Sequence, residues 1–179
     1  MDTLKDKIAA VGFDNVAEIQ TESITFDPTL IKHCEMNSCG KYGKNYTCPP
    51  NIGDPEELIE IAKSYKKTVV FQKIYDIEDS FDFEGMNRAQ LDFKELTLKV
   101  QSLCESVFDD FLLLGAGPCE LCKVCGIADG IECRFPKKAI ASLESYSIFV
   151  TSLATTCNMN YINGVNTVTY FGAMLYNEF

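Results

Sequence analysis

Apolar side chains recur at steps of three and four residues in four stretches of the chain, which is the spacing of one face of an α-helix. The longest stripe consists of Phe93, Leu96, Val100, Leu103 and Val107. An aspartate and a proline open the second stretch, at the capping position and the first helical position. The predicted helices cover residues 3–11, 54–65, 88–110 and 143–157.

Stretches rich in β-branched and aromatic residues lie between these helices and predict strands. The predicted strands are Ala17–Phe26, Thr68–Tyr75, Phe111–Leu114 and Thr167–Tyr176. Helices that alternate with strands bury their apolar faces by packing on one sheet. The pattern therefore predicts an α/β (α+β) fold, with helices on a mixed sheet of about four strands. We expect residues 1–179 to form a single domain.

Two cysteine-rich segments interrupt the pattern, at residues 33–53 and 117–136. We call them the first and the second cysteine loop. Structureless loops of such length are uncommon in a compact domain unless something orders them. Each loop lies beside the end of a predicted strand, where sheet proteins often place their sites. The chemistry of the chain is therefore expected in these loops.

Composition and charge exclude several classes of protein. The formal net charge of −10 argues against a binder of nucleic acid or of anionic membranes. The N-terminus has no basic region followed by an apolar core, and no run approaches the roughly 18 apolar residues of a spanning helix. We therefore expect a cytoplasmic protein. Thiols stay reduced there, and the odd total of nine cysteines suits a disulfide framework poorly.

The second cysteine loop carries the spacing C-x2-C-x2-C-x7-C, formed by Cys119, Cys122, Cys125 and Cys133. Bacterial ferredoxins bind a [4Fe-4S] cluster through C-x2-C-x2-C, so the spacing favours that cofactor. A zinc ribbon pairs two well-separated C-x2-C knuckles, so zinc is the alternative that fits less well. The fourth ligand stays open between Cys133 and Cys48, because Cys48 directly precedes a proline, as the fourth ferredoxin cysteine does.

The first cysteine loop contributes Cys34, Cys39 and Cys48. Three thiolates can hold a second [4Fe-4S] cluster with one iron open to a substrate, or these residues can join the first cluster. A fourth ligand can also come from elsewhere. The candidates for it are His33, Cys104 and Cys157. The histidine is the only one in the chain, whereas both of these cysteines lie on apolar helical stripes, which is typical of core residues.

Other chemistries find little support in the sequence. A single histidine leaves no plausible Ser-His-Asp set, so no catalytic residue is assigned. A thioredoxin-like dithiol of Cys119 and Cys122 is disfavoured by the further thiols beside it and by the missing early βαβ context. The pair Gly115-x-Gly117 lacks the rest of a phosphate-binding fingerprint and is better explained as a turn.

The two cysteine loops together resemble those of a known family. They read C-x4-C-G-x-Y-G-x4-C-P-P at residues 34–50 and G-P-C-x-L-C-x2-C-x7-C-R-x-P at residues 117–136. Over residues 30–176 the chain resembles an uncharacterised prokaryotic family of small proteins described as predicted metal-binding. The resemblance implies metal binding through these cysteines, as an iron–sulfur centre.

A third element of the resemblance is Ser142-x-Glu144, and the chain departs from the family pattern around it. Members usually carry an Arg-Pro pair where this chain has Ile140-Ala141. A glycine is common where this chain has Ser147. A role for that arginine near the metal is therefore not expected here.

These features predict an iron–sulfur protein with one or two [4Fe-4S] clusters that exchanges electrons with a redox partner protein. The predicted ligands are the seven cysteines of the two loops. One alternative is an enzyme that uses an open iron on the first cysteine loop. Another is a zinc-stabilised binding module, in which the metal contributes folding energy and no chemistry.

Overall fold

The structure, a computed structural model, describes residues 3–178. Helices and strands alternate along most of the chain, which confirms the predicted α/β class. The helices are α1 (Leu4–Ala9), α2 (Ile31–Glu35), α3 (Pro55–Lys63), α4 (Phe83–Glu105) and α5 (Val150–Thr156). The strands are β1 (Asn15–Gln20), β2 (Lys67–Asp76), β3 (Phe111–Gly115), β4 (Ala141–Ser142) and β5 (Thr167–Tyr176).

The strands form one mixed sheet in the order β1-β2-β5-β3-β4. Neighbours are antiparallel except for β3 and β4, which run parallel. The long central pair β2 and β5 sets the register, from Lys67 opposite Tyr176 to Asp76 opposite Thr167. The sheet has five strands rather than about four, because β4 has only two residues and is too short to produce an alternating pattern.

Helices cover both faces of this sheet, and each face has its own apolar core. Along β2, Val69 and Phe71 belong to the core under α1 and α4, whereas Val70 belongs to the core under α3 and α5. Successive side chains of a strand point to opposite faces, so a continuous apolar run fits a strand buried on both sides. No helix of the described chain combines the length and apolarity needed to cross a membrane.

Strand β1 is shorter than the pattern predicted. It ends at Gln20 and not at Phe26, because the chain turns into a 3-10 helix at Thr21–Ser23. The Ser23 hydroxyl donates a hydrogen bond of 2.6 Å back to the Gln20 carbonyl, which stabilises this turn. Phe26 then forms an isolated bridge to Ile148.

Helix α4 begins earlier and ends earlier than predicted. It starts at Phe83 and stops at Glu105, where the prediction extended to about Asp110. The Ser106 hydroxyl turns back and donates to a carbonyl of the last turn at 2.6 Å. Val107, the last residue of the predicted stripe, therefore lies beyond the helix and is exposed.

The predicted helix over residues 143–157 is wrong in its first half. Ser147 adopts a φ of 58°, which ends a 3-10 helix at Glu144–Tyr146 before α5 begins. The N–H of Asp27 donates to the Ser147 carbonyl at 2.7 Å and fixes this turn. Leu143 is buried in the core although it is not helical. Its distance in sequence from the apolar residues of α5 therefore produced a helical pattern where there is no continuous helix.

Candidate metal centre

The second cysteine loop leaves the sheet after β3 and returns to it at β4. Its four cysteines line one small pocket, together with Leu121, Gly126, Arg134 and Phe135. The sulfur of Cys119 lies within electrostatic reach of the other three thiols. Among the two candidates for the fourth position, the pocket contains Cys133 and not Cys48.

Gly126 allows this loop to close. A Cβ atom at this position would lie 2.8 Å from the carbonyl oxygen of Glu132 and 2.9 Å from that of Ile131. The Ile131 N–H also donates to the Gly126 carbonyl at 3.0 Å. This close backbone approach returns the chain to the pocket and brings Cys133 beside the x2-spaced cysteines.

The first cysteine loop gathers a second group of thiols. Cys34 lies on α2, and the thiols of Cys34, Cys39 and Cys48 lie within electrostatic reach of one another. Burial raises the pKa of the Cys34 and Cys48 thiols, and the neighbouring thiols raise it further. The loop is tied across its base, since the Gly43 N–H donates to the Pro49 carbonyl at 2.8 Å.

Of the three other residues proposed as ligands, the two cysteines lie apart from this group, and the histidine precedes Cys34 on α2. Cys104 is buried in the core under α4, and Cys157 is buried in the core under α5. His33 is exposed on α2 and interacts electrostatically with Asp27. Cys34 interacts electrostatically with Cys39 and with two carboxylates, those of Glu144 and of the adjacent Glu35. The Ser142-x-Glu144 signal pointed to this residue without assigning it a role.

Direct contacts join the two cysteine loops. The Thr47 side chain accepts a hydrogen bond of 3.1 Å from the Cys119 N–H. The Tyr46 hydroxyl donates to the Ile131 carbonyl at 2.7 Å. The Lys41 ammonium lies 3.6 Å from the carboxylate of Glu120. The two groups of thiols therefore belong to one continuous region of the molecule.

A solvent-open groove runs between the two loops. Cys119, Cys122 and Cys125 contribute to its wall, and the opposite wall comes from residues 40–45. Its charged side chains are Lys41, Lys44, Lys123 and Glu120. The rim of the thiol region is therefore more basic than a chain with a net charge of −10 would suggest.

All nine cysteines are free thiols. Within residues 3–178, no three His, Cys, Asp or Glu side chains converge tightly enough to hold a single metal ion as they stand. The two groups are therefore neighbourhoods of thiols rather than preformed cages for one ion. A family model described as "Predicted metal-binding protein (DUF2284)" matches residues 17–176, a span that includes both cysteine loops.

The chain belongs to this family. No curated protein and no solved structure matches it significantly. As a DUF2284 member it is a predicted metal-binding protein, and the family description names neither the metal nor a reaction.

The donors around the sulfur atoms fit the metal binding expected of a DUF2284 protein. The Leu121 N–H lies beside the sulfur of Cys119, and the Arg134 guanidinium lies beside that of Cys122. The Asn45 and Thr47 side chains lie beside the sulfur of Cys48. Polar groups at the sulfur atoms tune the potential of iron–sulfur clusters.

Arg134 also organises the second cysteine loop. Its guanidinium donates to the carbonyl of Val124 and to the carboxylate of Asp129, each at 3.1 Å. One side chain thus spans the segment between the third and fourth cysteines while it contacts the sulfur of Cys122. The spacing of the cysteines gave no indication of this role.

Proposed function

We propose that this DUF2284 protein is an iron–sulfur protein that transfers electrons to or from a partner redox enzyme. The observation that carries the proposal is the pocket of the second cysteine loop, which brings Cys119, Cys122, Cys125 and Cys133 together. The C-x2-C-x2-C spacing is the one that binds a [4Fe-4S] cluster in bacterial ferredoxins. When bound, such a cluster supplies a site that accepts and releases single electrons.

The residues of the chain would hold and tune this centre. The four cysteines of the pocket would ligate it, and Cys34, Cys39 and Cys48 would ligate a second one. The Leu121 N–H and the Arg134 guanidinium lie beside the sulfur atoms of Cys119 and Cys122, where they would tune the potential of a bound cluster. Half-buried sulfur atoms would keep the centre close enough to the surface to exchange electrons with a protein docked there.

The basic rim of the groove supports a partner of opposite charge. Lys44 and Lys123 are exposed on its two sides, and Lys41 forms an ion pair with Glu120. Complementary charge accelerates encounter and selects partners. We therefore propose that the redox partner presents an acidic surface, with which it docks over the thiol region.

Anaerobic reconstitution with iron and sulfide tests the proposal. We expect about four iron and four sulfide per cluster, and an EPR signal after reduction. C122S should lose the cluster of the second loop, whereas C104A, which truncates a cysteine of the core, should keep it. A colourless protein with stoichiometric zinc, no sulfide and no EPR signal would contradict the proposal and support the zinc-stabilised module.

A second candidate function is an enzyme that uses an open iron on the first cysteine loop. The observation in its favour is that this loop gathers three thiols, whereas the second gathers four. A cluster with three thiolate ligands leaves one iron for another ligand or a substrate. This candidate predicts that small thiols or anions perturb the EPR spectrum of the first-loop cluster in C122S, and an unperturbed spectrum would argue against it.

A further inference from the structure

The thiol group of the first cysteine loop lacks a fourth cysteine but has a carboxylate beside it. Glu144 is an acidic residue outside the loop that acts electrostatically on Cys34. The other residues considered for a fourth position lie in the two cores or face Asp27. Glu144 therefore combines metal-ligand chemistry with a location beside the thiol group, and it reaches this location from a different part of the chain than Glu35, which also acts on Cys34.

The backbone on both sides of Glu144 is fixed against the thiol region. The N–H of Leu143 donates to the Gly115 carbonyl at 3.1 Å, which anchors the segment to the end of β3. The Ser145 hydroxyl donates to the carbonyl of Thr47 at 3.1 Å. Because Thr47 directly precedes Cys48, this bond ties the residue after Glu144 to the residue before a thiol of the group.

The carboxylate of Glu144 has no basic partner. Among residues 3–178, Glu144 makes no ion pair. Its side chain is exposed, so it is accessible to a bound ligand. No basic group of the described chain therefore competes with a metal for this carboxylate.

We propose that the carboxylate of Glu144 is the fourth protein ligand of the metal centre held by Cys34, Cys39 and Cys48. The inference rests on the proposed function, since it requires a metal centre in the first cysteine loop. An oxygen ligand is harder than a thiolate and matches soft metal centres less well. The position that Glu144 occupies is therefore the one at which a solvent molecule or substrate exchanges most readily.

The test compares E144Q and E144C with the wild-type chain after anaerobic reconstitution. Glutamine keeps the shape and loses the anionic ligand, whereas cysteine restores a thiolate. The matched control is E22Q, which removes the same charge from another 3-10 helix away from the thiols. The readouts are iron and sulfide per chain and EPR before and after reduction, and circular dichroism of the metal-free proteins checks the fold.

For E144Q we expect the loss of about one iron per chain and a new EPR signal of a three-iron cluster in the oxidised protein. E144C should recover the iron and lose that signal, and E22Q should match the wild type. Iron content and EPR of E144Q equal to those of the wild type would overturn the inference. So would an E144C protein that folds but resembles E144Q.

The triple variant C34S/C39S/C48S separates the two proposals. If it contains less iron than the wild type while E144Q does not, the first-loop centre exists and Glu144 is not its ligand. If the triple variant and the wild type contain the same iron, the proposal of a centre in the first cysteine loop fails, and the inference about Glu144 fails with it.

Discussion

The side-chain oxygen of Thr47 accepts a hydrogen bond of 3.1 Å from the backbone N–H of Cys119. Thr47 precedes the last cysteine of the first loop, and Cys119 is the first cysteine of the second. Thr47 is buried, and its hydroxyl also donates to the Asn45 side chain at 3.0 Å. The hydroxyl of Thr47 therefore couples the two thiol groups. In the sequence, Cys48 and Cys119 are 71 residues apart.

Replacing Thr47 by valine tests this coupling. T47V keeps the side-chain shape but leaves the Cys119 N–H and the Asn45 oxygen without their partner. An unsatisfied buried polar group costs about 1–3 kcal/mol, so we expect the free energy of unfolding to fall by that amount in urea titrations. T155V is the control, because Thr155 is exposed and its hydroxyl bonds within α5. Equal stability of T47V and T155V would contradict the coupling.

Replacing Gly126 by alanine tests the closure of the second cysteine loop. The new methyl group would lie 2.8 Å and 2.9 Å from two backbone carbonyls, and these atoms cannot move without shifting Cys133. We expect G126A to lose most of the iron bound by the second loop, and its metal-free form to be less stable by about 1–3 kcal/mol. G115A adds a methyl group at ordinary contact distances of 3.5 Å and 3.6 Å and serves as the control. Normal iron content in G126A would contradict the role of this close backbone approach in holding Cys133 at the pocket.

Ser147 occupies a backbone conformation that suits glycine better. Its φ of 58° costs a residue with a side chain roughly 1–2 kcal/mol. We expect S147G to raise the free energy of unfolding by about 0.5–1 kcal/mol, since glycine also loses more backbone entropy on folding. S102G should instead lower it by about 0.5 kcal/mol, because Ser102 lies inside α4. Thermal and urea unfolding of both variants distinguish a strained turn from a general effect of glycine.

The central sheet was predictable because its pattern is local. Strand β5 matches the predicted bounds, and β2 extends one residue beyond them at each end, since both are long and rich in β-branched and aromatic residues. The grouping of thiols depended on contacts that no spacing reveals. Cys133 joins its pocket through the packing of Gly126 against backbone 131–132, and Glu144 approaches Cys34 through tertiary contacts. Spacing predicted metal chemistry for the loops, and the fold determines which of the thiols lie close together.

Arg134 is expected to raise the reduction potential of a cluster in the second loop. Its positive charge lies at the sulfur of Cys122, and a positive charge stabilises the more negative, reduced state of a cluster. R134Q should lower the potential by on the order of 40 mV, which corresponds to about 1 kcal/mol for a partly screened charge. R134K keeps the charge, so its reduction potential should lie between those of R134Q and the wild type. R88Q removes the other arginine, which lies exposed on α4, and should leave the potential unchanged in a redox titration followed by EPR.

Charge reversal at the groove tests the docking of an acidic partner. Lys44 and Lys123 are exposed on opposite sides of the groove, so K44E/K123E places negative charge where an acidic carrier would approach. We expect the second-order rate of electron exchange with an acidic [2Fe–2S] ferredoxin to fall about tenfold or more at low salt, with a weaker dependence on ionic strength. K7E/K99E makes the same change in net charge outside the groove and should have a much smaller effect. If both double variants slow the reaction equally in stopped-flow measurements, the net charge of the chain governs the encounter, and the groove is not the docking surface.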